Sequence, residues 1–379
     1  MKNKVAILTQ PLHTNYGGTL QAFALQKVIK NMGHDVVTLN YQWKKRSFLR
    51  YILVTIRNYI FNRKEGVPFF PSEQIFREKN HTDFIEKNII RSEIIFSEND
   101  LLNHFKKNNY DVVIVGSDQV WRVEYSPNIE HFFLSFIDHS IKKIAYAASF
   151  GIDKWQFSAK ETEKIKLWLE RFDNISVREK SALLLCQDFL SVDVEHVLDP
   201  TLLLTKDDYL QLTASVPVSG EKIFTYILDD TEDKKNIVNL IANKLKLATF
   251  TKQPLKTRKD EIFVKNKENY LYPEIEEWVA SFRDASFIVT DSFHGMVFSI
   301  IFNKPFVVIN NSSRGSARFI SLLDELDIKN RLFDCVEDIS LDLIVRDLDY
   351  KEINKRLEDA RIFSKKFLKI SLCEADLGD

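Results

Sequence analysis

Short apolar runs punctuate the chain, and the stretches between them carry apolar residues at helical spacing. Val5–Thr9, Val36–Leu39, Val112–Val115, Ile144–Ala147 and Ile175–Val177 read as buried strands of a first series. A second series runs through Ile223–Leu228, Leu247–Phe250, Phe287–Val289 and Phe306–Ile309. Strands that alternate with helices predict an α/β fold with doubly wound parallel sheets. Leu198–Thr201, with Asp199 and Pro200, interrupts the alternation and sets a boundary near residue 205. The chain thus divides into 1–205, 206–349 and a charged helical stretch within 350–379, with no internal repeat.

Candidate chemistry gathers where strands give way to turns, because ligands of open parallel sheets sit at the carboxyl ends of the strands. After Phe287–Val289 the chain reads TDSFHG, and His294 stands between strand end and helix start. Asp291 and Ser292 are natural N-caps there or ligand contacts in their own right. Ser292 and Gly295 open a helix whose free N–H groups favour an anion. His13, Asn15, Tyr16, Gly17 and Gly18 follow the first strand, where adjacent glycines admit close backbone approach to a ligand or simply a tight turn. Ser117, Asp118 and Gln119 follow Val112–Val115, so Asp118 caps a helix, holds a ligand hydroxyl or acts as a base.

Composition narrows the class. A chain of 379 residues, 45% of them hydrophobic, can bury two cores, and a net charge of −1 argues against a general nucleic-acid binder. Cys186, Cys335 and Cys373 are too few and too scattered for a disulfide framework or thiolate metal site, which fits a reducing cytoplasm. Neither a signal peptide nor a membrane span is expected. Between Trp43 and Lys64, Arg46, Arg50, Arg57 and Lys64 share one helical stripe, opposite Leu49, Ile52, Leu53, Ile56 and Ile60. That stretch reads as an interfacial helix on anionic lipid at the inner face of the cell membrane, or as an amphipathic helix covering the first domain.

Five blocks together resemble the polysaccharide pyruvyl transferase family: Val5–Tyr41 with LHTNYGG, Val112–Trp121 with VVIVGSDQVW, Ala145–Gly151 with AYAASFG, Ile175–Ser181 with ISVREKS, and Thr290–Gly295 with TDSFHG. The resemblance implies two Rossmann-like domains in a glycosyltransferase-B-like arrangement, with the last helix crossing back to the first domain. It also implies transfer of the enolpyruvyl group of phosphoenolpyruvate to sugar hydroxyls, usually as a pyruvate ketal on a hexose such as galactose; if 43–64 lies on anionic lipid, a polyprenyl-diphosphate-linked sugar would be presented there. By the same resemblance 1–205 is the acceptor side and 206–349 the donor side. His13, Asn15, Tyr16, Gly17, Gly18, Ser117 and Gln119 are then expected at the acceptor.

Arg178 matches the family's donor-binding arginine; the other reading pairs it with Glu179 or another acid. The family often has an arginine two residues before the histidine, where this chain has Ser292. One of Arg314 and Arg318, in the loop after Phe306–Ile309, is expected to replace it beside Ser292 and Gly295. His294 is the expected general acid or base, since its ordinary pKa lies near neutrality, with Asp291 orienting it and Asp118 as a further catalytic carboxylate. The scheme needs no metal or cofactor. A nucleotide-sugar glycosyltransferase on the same fold is the rival enzyme, and a non-catalytic sugar- or anion-binding protein the rival from another class.

Overall fold

Parallel pairing holds throughout the computed structural model, which describes residues 2–44, 53, 56–57, 69–137, 140–255, 266–311 and 314–373. The first sheet contains β1 (Lys4–Leu8), β2 (Asp35–Tyr41), β3 (Arg91–Ile95), β4 (Val112–Asp118), β5 (Lys142–Ala148), β6 (Asn174–Val177) and β7 (Glu195–His196), in the order β3-β2-β1-β4-β5-β6-β7. The second contains β8 (Ile223–Tyr226), β9 (Thr249–Phe250), β10 (Phe287–Thr290), β11 (Phe306–Ile309) and β12 (Leu332–Phe333), in the order β12-β11-β10-β8-β9. Ile7 pairs with Ile114 and Val289 with Val307.

Helices connect the strands and cover the sheets: α1 (Tyr16–Asn31), α2 (Pro71–Asn88), α3 (Glu98–Lys107), α4 (Ala159–Leu169) and α5 (Lys180–Leu185) in the first half, then α6 (Lys206–Leu212), α7 (Glu232–Leu245), α8 (Ile275–Asp284), α9 (Phe293–Ile301), α10 (Ala317–Glu325), α11 (Leu341–Val345) and α12 (Tyr350–Leu372). Central strands are apolar on both faces because helices lie on both, and Val5, Ala6, Ile7 and Leu8 are fully buried.

In each sheet the strand order reverses once, between β1 and β4 and between β8 and β10. These reversals leave a crevice beyond the carboxyl ends, since the chain departs to opposite sides there. Residues just past the four strand ends, Gln10, Gln119, Leu228 and Asp291, line one common cleft.

The halves are joined by packing as well as by chain. One apolar cluster runs from Val5, Ile7 and Ile114 through Leu202 and Tyr209 to Trp278, Met296 and Phe298 of the second half. The last helix, α12, contributes Leu368 and Leu372 to that cluster and bonds to first-sheet segments: the Asn3 side-chain amide donates to Leu372 O at 2.6 Å, and the Ser364 hydroxyl accepts from Leu198 N at 3.0 Å. The segment 43–64 lies outside the described residues except for Trp43, Lys44, Leu53, Ile56 and Arg57. Among the described residues no helix is long and apolar enough to cross a membrane.

Candidate active site

The cleft between the two carboxyl edges has a volume of about 370 Å³. Ten of the residues expected at a site line it: His13, Asn15, Gly18, Asp118 and Gln119 from the first half, and Asp291, Ser292, His294, Arg314 and Arg318 from the second. Tyr16, Gly17, Ser117, Arg178 and Gly295 stand behind that surface.

His294 owes its position to the start of α9. Ser292 caps the helix through its hydroxyl, which accepts from Gly295 N at 3.4 Å. Gly295 packs against Thr290, whose Oγ1 would lie 2.2 Å from any added Cβ, so the glycine keeps helix and strand close rather than touching a ligand. The His294 imidazole then crosses to the first half and rests on Gly17, where a Cβ would fall 2.0 Å from Nδ1. Gly17 therefore serves the histidine. Gly18 tolerates more, its nearest neighbour being Asn15 Nδ2 at 3.1 Å, and Asn15 caps α1 by accepting from Gly18 N at 3.1 Å.

Asp291 does not orient His294. Its buried carboxylate accepts from Leu228 N at 2.6 Å, Asp229 N at 3.1 Å, Lys234 Nζ at 2.6 Å and Asn311 Nδ2 at 3.2 Å, which uses both oxygens within the second half. The carboxylate beside the imidazole is Asp199, with Oδ2 3.6 Å from His294 Nε2. Asp199 Oδ1 accepts from Thr201 N at 3.0 Å and Thr201 Oγ1 at 2.6 Å. Burial alone would raise the Asp199 pKa, but His294, Arg178 and Thr201 outweigh it and hold the carboxyl below the usual carboxylate range.

The three arginines separate sharply by partner. Arg178 is buried behind the cleft, and its fork is divided between Asp199 Oδ2 at 2.8 Å and Asp118 Oδ1 at 3.1 Å. Against burial, which lowers its pKa, those two carboxylates raise it above the ordinary arginine value. It holds carboxylates in place instead of presenting a free fork to a ligand. Asp118 takes a left-handed φ of 72° at the end of β4 and is likewise kept ionised, with Arg178, His294 and Arg318 overcoming the cost of its burial.

Arg314 makes a two-pronged pair with Asp229, 2.7 and 2.9 Å, and those bonds, ahead of burial, raise its pKa. Arg318, on α10, differs: it is buried, donates to Arg314 O at 2.5 Å, and has no carboxylate within ion-pair distance among the described residues. Its buried Nε lacks any partner. Burial, reinforced by Arg178, pushes its pKa down to about 10. A desolvated, unpaired guanidinium facing a cleft is a ready seat for an anion.

Two further expectations meet a different geometry. The Tyr16 ring stacks on Trp278 with centroids 5.0 Å apart, and its hydroxyl donates to Pro273 O at 3.0 Å, so it packs the halves together instead of meeting an acceptor. Ser117 is fully buried and donates to Ala147 O at 3.1 Å within the first sheet. Gln119 stays at the cleft, its side-chain oxygen accepting from Arg122 at 3.0 Å, and His13 lies exposed at the mouth. Asp199 is the residue that sequence reasoning passed over. Its one signal was the Asp-Pro break after the last strand of the first sheet, which reads equally well as a simple linker.

Among solved structures, the chain resembles Arabidopsis thaliana UGT89C1 complexed with UDP, with a TM-score of 0.53, 12% identity, and coverage of 99% of this chain and 100% of that one. A UDP-N-acetylglucosamine 2-epimerase from Rickettsia bellii gives a TM-score of 0.50 at 12% identity, covering 98% and 96%. At these identities the likeness concerns fold: two Rossmann-like domains in the glycosyltransferase-B-like arrangement. No curated protein matches the sequence. The model of one family, described as polysaccharide pyruvyl transferase, matches residues 15–313, a span that holds Gly17, Asp118, Arg178, Asp199 and His294 together. By that match the chain belongs to the polysaccharide pyruvyl transferase family.

Proposed function

We propose that the protein transfers the enolpyruvyl group of phosphoenolpyruvate to a hexose of a polysaccharide precursor and closes it to a pyruvate ketal. The observation that carries this reading is the juxtaposition of an unpaired buried cation, Arg318, with His294 in one cleft. Phosphoenolpyruvate is a compact dianion or trianion with a basic enol carbon, so it needs a desolvated guanidinium and a proton donor side by side.

In this scheme Arg318 seats the donor's anionic groups, and His294, protonated, delivers its proton to the methylene carbon. Positive charge develops at the middle carbon, where the oxygen of a sugar hydroxyl bonds. Asp118 accepts that hydroxyl's proton and passes it to the phosphate as the carbon–oxygen bond to phosphate breaks. A second hydroxyl of the same sugar then bonds to the carbon and returns its proton to His294, leaving ketal and phosphate. Asp199 positions the imidazole and stabilises its protonated form, and Arg178 fixes Asp199 and Asp118 relative to each other.

The test is acceptor-dependent release of phosphate from phosphoenolpyruvate across a panel of hexosides, with the ketal methyl singlet followed by NMR. His294→Ala is expected to lower turnover by roughly 10²–10⁴-fold with donor affinity retained. Phosphoenolpyruvate left unconsumed with every acceptor, or consumed equally well by the variant, overturns the reading.

A further inference from the structure

Among the described aromatic residues of the first half, Trp43, Tyr125 and Phe189 are the most exposed; Phe189 stacks on Trp155 with centroids 4.9 Å apart, away from the cleft, and the other two do not share that cover. Trp121, Phe132 and Phe133 are at most 1% exposed, whereas Trp43 is 49% and Tyr125 36% exposed, and both line the cleft. Trp43 stands two residues beyond β2 and Tyr125 ends a short 3-10 turn (Val123–Tyr125) after β4, so the rings come from carboxyl ends that flank β1. Two exposed aromatic side chains in one cleft offer a ligand apolar faces to cover.

Resting on the reading of a sugar acceptor, we propose that Trp43 and Tyr125 form a stacking subsite for a pyranose ring on the first-domain wall of the cleft. The Tyr125 ring is fixed from one side by the Arg122 guanidinium, 4.3 Å from its centroid, and Arg122 is itself buried and bonded to Gln119. A ring held in one plane loses little freedom when a ligand covers it. One face of a hexopyranose presents a patch of C–H groups that carry slight positive charge, which suits the negative face of an aromatic ring. The hydroxyls at the rim of that sugar face need polar partners, and Glu124, 63% exposed beside Tyr125 and paired with the Arg122 guanidinium at 3.4 Å, offers its carboxylate with Gln119 and Asn15 nearby in the lining. The unpaired cation, Arg318, lies on the second-domain wall.

The subsite is tested without donor, by saturation-transfer difference NMR on the full chain with methyl β-galactopyranoside, methyl β-glucopyranoside and, separately, uridine. Wild-type protein is expected to saturate the C–H face of a hexoside. Trp43→Ala and Tyr125→Ala should each weaken that transfer about fivefold or more, and Trp43→Phe and Tyr125→Phe should keep most of it. In acceptor kinetics the alanine variants should raise KM for the hexoside about tenfold with kcat and phosphoenolpyruvate affinity unchanged. Hexoside saturation equal in wild type and both alanine variants overturns the subsite, as does saturation of uridine alone. Hexoside saturation that falls in the alanine variants supports the subsite even if wild-type protein leaves phosphoenolpyruvate untouched, an outcome that removes the donor assignment alone.

Discussion

Gly17→Ala is the most informative single perturbation, because one methyl group tests the meeting of the two halves at His294. A Cβ at residue 17 would lie 2.0 Å from His294 Nδ1 and 2.2 Å from Cγ. Ordinary contact between such atoms is about 3.5 Å, so the imidazole or the helix start must move by roughly 1.5 Å. Displacement of a reacting group by about 1 Å costs on the order of 10²-fold in rate, which sets the expected fall in kcat. Overpacking costs about 1–3 kcal/mol of stability, offset in part by alanine's preference for helix at this first turn of α1. Gly18→Ala is the matched control, since its Cβ meets nothing nearer than 3.1 Å and needs only a small shift of Asn15. The assay is phosphate release at saturating donor and acceptor, beside thermal melting and calorimetric titration with phosphoenolpyruvate. Gly17→Ala should lose about 10² in kcat while remaining folded and binding donor. Wild-type turnover in Gly17→Ala refutes the argument, and an equal loss in Gly18→Ala would assign the effect to the helix start.

Three other perturbations follow from the same geometry. Arg318→Gln should weaken phosphoenolpyruvate binding by about 1.5–3 kcal/mol by calorimetry without lowering the melting temperature, since it removes an unpaired buried charge; Arg318→Lys should recover only part, and unchanged affinity removes Arg318 from the donor site. Asp199→Asn should lower kcat by about 10²-fold or more with phosphoenolpyruvate affinity retained, because a neutral amide no longer holds the imidazole and the Arg178 fork together; wild-type kcat in the variant would remove Asp199 from the site. His81, buried with neither ring nitrogen partnered, has its pKa lowered to about 3 by burial and by His13. The unfolded chain therefore takes up a proton near pH 6.5 that the folded chain refuses until about pH 3, so stability falls as pH drops through that window by up to about 1.4 kcal/mol per unit. His81→Phe, which keeps the ring beside Tyr16, should flatten that slope in urea melts between pH 7 and 5, and an unchanged slope would show that His81 does not cause it.

The central strands were legible because burial on both faces demands short uncharged runs such as Val112–Val115 and Phe306–Ile309. Of the four edge strands only β9 was, within the apolar Leu247–Phe250. β3 carries Arg91, Ser92 and Glu93 because one side of it meets no neighbour, and β7 and β12 are two residues each, too short for any period. In the same way the cleft residues were legible wherever a polar cluster ends an apolar run, as at Asp118 and His294. What a sequence cannot display is who stands opposite. Asp199 and Asp291 both sit at plausible turns, and only the approach of the halves puts the former at 3.6 Å from the imidazole and leaves the latter with Lys234. Arg178, Arg314 and Arg318 look equally available in one dimension. They differ in their acids: two for Arg178, one for Arg314, and none within ion-pair distance for Arg318 among the described residues.

The seating of α12 bears on how the chain is made. Leu368 and Leu372 complete the apolar cluster that begins at Val5, and Phe367 lies beside Tyr146 of β5. A ribosome releases the first sheet long before it releases that helix, so the nascent first half must carry an uncovered apolar face through the synthesis of some 150 further residues. Such a face is a natural target for chaperones and a hazard for aggregation. Cutting the chain before Tyr350 should yield an insoluble product, with the cleft residues all present and no folded wall to carry them.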